Sequence, residues 1–444
     1  MRIDRKAARW IGLVVLLLGA AQLWAGPRIQ SWQTANGAKV LFVEAPGLPM
    51  VDLRVVFDAG SARDGSLPGL AALTSSLLTE GAGPWDANQI AERLEAVGAE
   101  MDAGALRDMA WVSVRTLTES GPLDVAVETI TAVLGQPRFE GSALQRNRQA
   151  MLVALRRDEQ NPGTVAQKAF YRAIFGGHPY ATDTGGSAES LAAITHEDVQ
   201  GFHRRHYVAA NAVVAIVGDL DRTRAEQLAQ RVTDKLAVGQ HAPLLPEVPA
   251  LSGAQWVSKR FPSSQTHVLM GQPGMHRGDP DYFVLYLGNH ILGGSGLVSL
   301  LSEEVREKRG LSYSVYSYFS PMRRNGPFVV GAQTQNAKAG EAIEVMQTTL
   351  QRCMDEGPSE QELEAAKRNI TGGFPLRIAS NSKIVEYLAM IGFYDLPLDY
   401  LDRFVGRIED ISAEQIRSTF QRRLDPQRFV TVTVGNGETS QQGG

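Results

Sequence analysis

The chain carries a single cysteine, Cys353, in 444 residues. A lone cysteine cannot close an intramolecular disulfide, so stability must come from packing, even where an oxidising compartment would permit disulfides. An excess of basic residues is missing as well. The formal net charge is −4, which removes the electrostatic case for nucleic acid. The sequence has no G-x-S-x-G nucleophile elbow, no G-x-x-x-x-G-K-[ST] phosphate loop and no G-x-G-x-x-G dinucleotide fingerprint. Cys353 sits inside a helical pattern, which argues against a cysteine nucleophile.

What is present is ordinary for a globular protein: 43% hydrophobic and 21% charged residues. The length predicts two or more domains and a large core. The first residues, "MRIDRKAARWIGLVVLLLGAAQLWAG", place basic residues before an apolar run from Ile11 to Ala21, followed by small residues. That is a secretory signal layout, with cleavage expected after Ala21 or Ala25. The run is short for a membrane span, so residues 1–25 read as a signal peptide, with an uncleaved N-terminal anchor as the other reading. No cysteine lies near the cleavage region, which excludes a lipoprotein anchor. The body therefore reads as exported, in the periplasm, with no stable membrane span after cleavage.

The stretch "GQHAPLLPEVPALSG", residues 239–253, holds three prolines and no clear period. It reads as a linker between an N-terminal domain, 30–238, and a C-terminal domain, 254–437. Each half shows the same order of signals. The first runs from the strand pattern "VDLRVVFDAGS" through two helices to the strand "MAWVSVRTL" and the helix "LDVAVETITAVLGQP". The second runs from "THVLMGQPG" through the helical "YFVLYLGNHILGG" and "LVSLLSEEVREKRG" to the strands "LSYSVYSYF" and "FVVGAQTQ" and the helix "EAIEVMQTTLQRCMDEG". Strands and helices mix without regular alternation, which predicts α+β rather than a doubly wound sheet. The common plan points to a duplicated domain too diverged for a short-period repeat.

Several residues invite functional readings. "GLAALTSSLLTEGAG", residues 69–83, predicts a short buried helix with Leu70, Leu73 and Leu77 on one face and a glycine stop, yet it carries no reactive side chain. His203 and His206 lie one turn apart on a helix capped by Thr195, with His196 nearby and His178 upstream. They read as surface and packing histidines, with metal binding the lesser possibility. Asp219 reads as a turn residue after a strand, and "GGSG" at 293–296 as a turn before a helix. Leu297, Leu300, Leu301 and Val305 form an apolar helical face that Gly310 can end. A strand follows in which Leu311, Tyr313 and Val315 alternate on one face. Taken alone, Arg306 belongs to a charge-rich run of the kind that forms solvated faces with weak pairs such as Glu304 with Lys308, and Tyr313 fits a core.

Three long segments change that reading: "AGSARDGSLPGLAALTSSLLTEG" (59–81), "HPYATDTGGSAESLAAITHEDVQGFHRRHYVAANAVVAIVGDL" (178–220) and "NHILGGSGLVSLLSEEVREKRGLSYSVYSYF" (289–319). In this order they resemble the pitrilysin/insulinase-type zinc metallopeptidases, in particular the processing-peptidase branch, over nearly all of the chain after residue 25. The resemblance implies two homologous domains, each a mostly antiparallel sheet with packed helices, forming half of a clamshell around a chamber. In active members the first of these segments carries H-x-x-E-H: two histidines one turn apart hold zinc, and the glutamate activates the bound water. Here the matching positions are Ala72, Ser75 and Ser76. The family's third ligand, a downstream glutamate, matches Val153 in "QAMLVALRRDEQNP". None of these is a competent zinc ligand, so the resemblance implies a degenerate metal site and no cofactor in this chain. The last segment matches the family's arginine and, seven residues on, its tyrosine, at Arg306 and Tyr313. In the family this pair reaches a zinc site on another half or subunit, where it binds the substrate carbonyl and stabilises the oxyanion. The implied role is a non-catalytic subunit, inactive alone, whose partner is an H-x-x-E-H-bearing homologue holding zinc, with peptides as substrates. A pseudo-peptidase that binds peptides or braces an envelope complex is the other reading.

Overall fold

The computed structural model describes residues 27–436; the signal peptide expected at residues 1–25 lies outside the described residues. Thirteen strands are found among them: β1 (Gln30–Gln33), β2 (Lys39–Glu44), β3 (Met50–Phe57), β4 (Gly81–Ala82), β5 (Trp85–Asp86), β6 (Glu100–Ala105), β7 (Ala110–Leu117), β8 (Ala212–Gly218), β9 (Gln255–Arg260), β10 (Gln265–Pro273), β11 (Ser312–Phe319), β12 (Pro327–Gln335) and β13 (Val430–Gly435). They build a six-stranded sheet, β1-β2-β8-β3-β7-β6, a five-stranded sheet, β11-β12-β10-β13-β9, and a small β4-β5 ribbon.

The two large sheets share one topology. Reading β2, β3, β6, β7 and β8 as β9, β10, β11, β12 and β13 converts one strand order into the other, with β1 as an addition. The signs of pairing also match. β2–β8 and β9–β13 are parallel, and the remaining pairs are antiparallel. The fold is therefore α+β, with two homologous domains of mostly antiparallel sheet and packed helices. The sequence chemistry follows position in each sheet. The internal strands β8 (AVVAIVG) and β13 (VTVTVG) are buried at every residue, as strands covered on both faces must be. β7 alternates, burying Ala110, Val112, Val114 and Thr116.

One face of each sheet is covered by its own half's helices. The other face is covered by a helix from the opposite half. Phe170 and Ile174 of the Pro162–Phe175 helix lie in one cluster with Leu269, Val329, Val430, Val432 and Val434. Val385, Leu388 and Ala389 of the Asn381–Phe393 helix lie with Leu41, Val56, Val213 and Ala215. In each half this is the third helix after the β6–β7 or β11–β12 hairpin, so the exchange is reciprocal. Gly392 allows the close approach, since a Cβ there would sit 2.4 Å from a Val213 methyl and 2.7 Å from Leu41.

The two hairpin tips meet between the halves. Asp108, buried at the β6–β7 tip, accepts hydrogen bonds from the hydroxyls of Tyr180 (2.5 Å) and Tyr394 (2.9 Å) and from the backbone N–H of Arg323 (2.6 Å). Arg323 also donates to the Phe393 carbonyl at 2.9 Å. Residues 237–252, without helix or strand, run past this junction, where the Leu245 carbonyl accepts from Arg324 Nε at 2.7 Å.

Candidate functional site

The "GLAALTSSLLTEG" stretch forms a helix from Leu70 to Leu77 with Leu70, Leu73 and Leu77 buried. Its start is set by Gly69, whose φ of +93° favours glycine, and by Asp64. The buried Asp64 carboxylate accepts the N–H groups of Gly69 and Ala71, both at 2.7 Å. It thereby does the work of a cap for a helix whose own N-cap side chain is absent. The helix ends ahead of Gly81, at Leu77.

The positions matched to metal ligands look out unequally. Ala72 is half-buried and Ser76 exposed, its hydroxyl donating back to the Leu73 carbonyl at 2.9 Å. Ser75 is buried against the phenol of Tyr207, which burial holds in its neutral form by raising its pKa. Val153 projects from the Gly141–Glu159 helix and is exposed. A zinc ion needs imidazole, thiolate or carboxylate donors, and these four side chains do not fit it. Among the described residues no three His, Cys, Asp or Glu side chains gather at a metal-holding spacing.

His203 and His206 of the His196–His206 helix are used for packing. Thr195 caps this helix in a reciprocal bond with Asp198. His203 is buried; its Nε2 donates to the Leu134 carbonyl at 2.8 Å, and its ring stacks on Tyr207. His206 packs against Phe202 instead, so the two rings serve different neighbours. His178 Nδ1 accepts the Tyr180 N–H, and its Nε2 lies 3.0 Å from the Pro246 carbonyl; His196 is exposed. The backbone of Asp219 continues from β8 by donating to the Met50 carbonyl.

Burial pushes His203 and His206 down to about 4, with Arg63 and Arg205 adding to the effect on His206. A depressed histidine pKa means that the unfolded chain binds the proton more tightly. The stability that neutral His203 and His206 contribute is therefore complete above about 6.5 and is lost as pH falls from there to about 4. Asp64, which burial raises to about 7, acts in the opposite direction over the same range. The test is thus a difference: His203→Gln with His206→Gln should flatten the pH dependence of urea unfolding between pH 6.5 and 4 relative to the parent. Parallel curves would place both rings in contact with solvent.

The segment from 289 to 319 departs from the single helix and regular strand that its pattern predicts. A π-helical turn, His290–Gly294, closes the Tyr282–Asn289 helix, and a short 3-10 turn, Gly296–Val298, leads to a second π-helical turn, Ser302–Glu307. Gly293 reflects close packing, because a Cβ there would fall 2.5 Å from Ser317 N on β11. Leu297 is not on the buried face: it is 64% exposed, since the break at 296–298 turns it out, whereas Leu300, Leu301 and Val305 are buried. Gly310 adopts φ +57° and bonds back to the Arg306 carbonyl, ending the helix as the sequence predicts.

Tyr313 does not share a face with Leu311 and Val315. Those two are buried, and Tyr313 is 89% exposed. The reason is a β-bulge. Ser312 lies opposite Thr334 and Ser314 opposite Gln333, so Tyr313 has no opposite residue, and a bulge re-aims its side chain. Among the described residues no hydrogen bond holds its hydroxyl. Arg306 lies in the second π-helical turn, about one-third exposed, with Glu307 at 3.4 Å as its ion-pair partner. Arg306 is left out of the stronger cluster beside it. Buried Glu304 pairs with Lys308 (2.8 Å), Arg309 (2.6 Å) and Arg352 (3.2 Å), which hold its carboxyl down to about 2. The Glu304–Lys308 pair is readable from spacing. The buried hub is not, because Arg352 arrives from a helix, Ala339–Glu356, far along the chain. The result is a guanidinium and a phenol on either side of the Gly310 turn, both accessible to a group presented from outside.

Comparison with known proteins agrees with this architecture. Residues 39–187 match the family model described as insulinase (peptidase family M16), and residues 193–370 the model described as the peptidase M16 inactive domain. The chain is 40% identical to a peptidase M16 inactive domain from Pseudomonas fluorescens whose crystal structure superposes with a TM-score of 0.90, covering 93% of this chain and 99% of that one. A protease from Helicobacter pylori shares the fold at 19% identity and a TM-score of 0.85, over 92% of this chain and 99% of that one. An uncharacterised zinc protease of Mycobacterium leprae is 26% identical over 408 residues, 90% of each chain. With this match in sequence, domain order and fold, the chain belongs to the insulinase family of peptidases, M16.

Proposed function

We propose that this chain is the non-catalytic subunit of a heteromeric periplasmic zinc peptidase. Its partner is a homologous chain that carries H-x-x-E-H and the downstream glutamate, and so holds the zinc. This chain supplies Arg306 and Tyr313 to that site and forms half of the substrate chamber. The observation that carries the reading is the contrast within one chain: Ala72, Ser75, Ser76 and Val153 offer no zinc ligand, while Arg306 and Tyr313 stand accessible on either side of the Gly310 turn. A guanidinium and a phenol suit a developing oxyanion. They do nothing hydrolytic by themselves, which makes a second, zinc-bearing chain necessary. Two copies of this chain would pair two degenerate sites. Substrates are peptides or unfolded segments bound in extended form, for which the outermost strands β6 and β11 offer sheet edges. The signal layout of residues 1–25 supports export; among the described residues no helix is long and apolar enough to cross a membrane.

The inactive-domain description of the Pseudomonas fluorescens relative favours a second reading, a pseudo-peptidase that binds peptides or braces an envelope assembly without any catalytic role. Pull-down of the tagged chain from the native periplasm separates the two. The subunit reading predicts an equimolar co-purifying chain with H-x-x-E-H, with zinc and peptidase activity in the complex. Recovery of the chain alone, or with partners lacking that motif, would favour the second reading.

A further inference from the structure

The bulge that exposes Tyr313 has a specific holder. We propose that Ser312 is a positioning residue, whose buried hydroxyl pins the β11 bulge and so keeps the Tyr313 phenol pointed outward for the partner's site. The proposal rests on the role assigned to Tyr313 above.

Ser312 is 5% exposed, yet its hydroxyl is fully engaged. It accepts the Ser314 N–H at 3.1 Å, and it lies within donating distance of the Gln333 carbonyl (2.7 Å) and the Ser314 carbonyl (2.8 Å). Ser314 and Gln333 face each other where the register resumes beyond the bulge. One side chain thus satisfies both sides of the irregularity. Across the strand, Thr334 Oγ1 donates to the Leu311 carbonyl at 2.5 Å, which anchors the residue before the bulge.

The alternative register explains why a pin is needed. Side chains alternate along a strand with period two. From buried Leu311, unbroken alternation carries Tyr313 to the inward face with Val315. Loss of one residue of bulge flips the side chain to the other face of the sheet. An apolar replacement at Ser312 removes the hydroxyl bonds to Ser314 and to Gln333 that tie the two strands at the bulge. Strand slippage that removes the bulge restores the ladder and withdraws the phenol.

The test uses the full chain, first alone and then assembled with its zinc-bearing partner. Nitration by tetranitromethane, followed residue by residue by peptide mass mapping, reads the accessibility of Tyr313, with the half-buried Tyr387 of the Asn381–Phe393 helix, outside β11, as internal reference. Ser312→Ala should slow nitration of Tyr313 severalfold relative to Tyr387, and Ser312→Thr, which keeps the hydroxyl, should restore it. In the complex, Ser312→Ala should lower kcat with assembly unchanged, again with rescue by Ser312→Thr. Circular dichroism of each variant confirms that the fold persists. Unchanged Tyr313 nitration in a folded Ser312→Ala chain would overturn the proposal. Slower nitration with unchanged turnover would uphold the pin and instead remove Tyr313 from the proposed catalytic role.

Discussion

Turnover by the assembled peptidase should fall about 10²–10³-fold when Arg306 is replaced by alanine, the usual cost of removing one preorganised oxyanion partner. Tyr313→Phe, which deletes only a hydroxyl, should act in the same direction. The structure makes this a clean experiment. Neither side chain contributes to a core: among the described residues Arg306 pairs with Glu307, and Tyr313 is almost wholly exposed. The local helix is held by Glu304, through Lys308, Arg309 and Arg352, not by Arg306. Folding and assembly should therefore be untouched, and the loss should appear in kcat, where transition-state contacts are read. The assay is steady-state cleavage of an extended peptide by complexes reconstituted with each variant. Normal turnover in both variants would remove the pair from catalysis and leave the chain as a binding or assembly protein.

Asp108→Ala should destabilise the whole chain by about 3–5 kcal/mol, since three donors lose their shared acceptor and each unpaired buried group costs about 1–3 kcal/mol. The carboxylate is the shared acceptor for the hydroxyls of Tyr180 and Tyr394 and for the Arg323 N–H. Truncation strands several buried donors at once, and each unpaired group carries its own desolvation cost. The damage should spread, because the network joins the two hairpin tips and each sheet is covered by a helix of the other half. Urea unfolding of the parent should accordingly be one cooperative transition, with the variant's midpoint shifted and no separate early phase. A shift below about 1 kcal/mol would mean that water replaces the lost carboxylate. A biphasic curve would mean that the halves unfold independently.

What could be read in advance divides along the range of the interactions. The α+β class and the duplicated plan were visible because hydrophobic period and turn residues are local properties, and β7 shows them plainly. The Gly310 stop and the Thr195 cap were legible for the same reason. The reciprocal helix exchange was not: nothing within the Pro162–Phe175 sequence says which sheet its apolar face will cover. Nor was the role of Asp108, since the groups it satisfies are brought in by tertiary approach; Asp108 and Tyr394 lie 286 residues apart. The Tyr313 misreading has a sharper cause. Alternation counts residues, and a bulge adds one without any apolar signal, through a serine that resembles its neighbours. Leu297 misled in the same way, since the π-helical and 3-10 turns around it break the 3.6-residue period on which its inward face was predicted.

The proposed subunit role requires that this chain holds no catalytic zinc and gains activity only beside a chain that does. The direct measurement is zinc content by elemental analysis, together with peptidase activity, on the purified chain alone and after mixing with an H-x-x-E-H-bearing partner. The expected result is no stoichiometric zinc and no cleavage for the chain alone, with both appearing in the mixture and the zinc assigned to the partner. Stoichiometric zinc and peptide cleavage by the purified chain alone would contradict it.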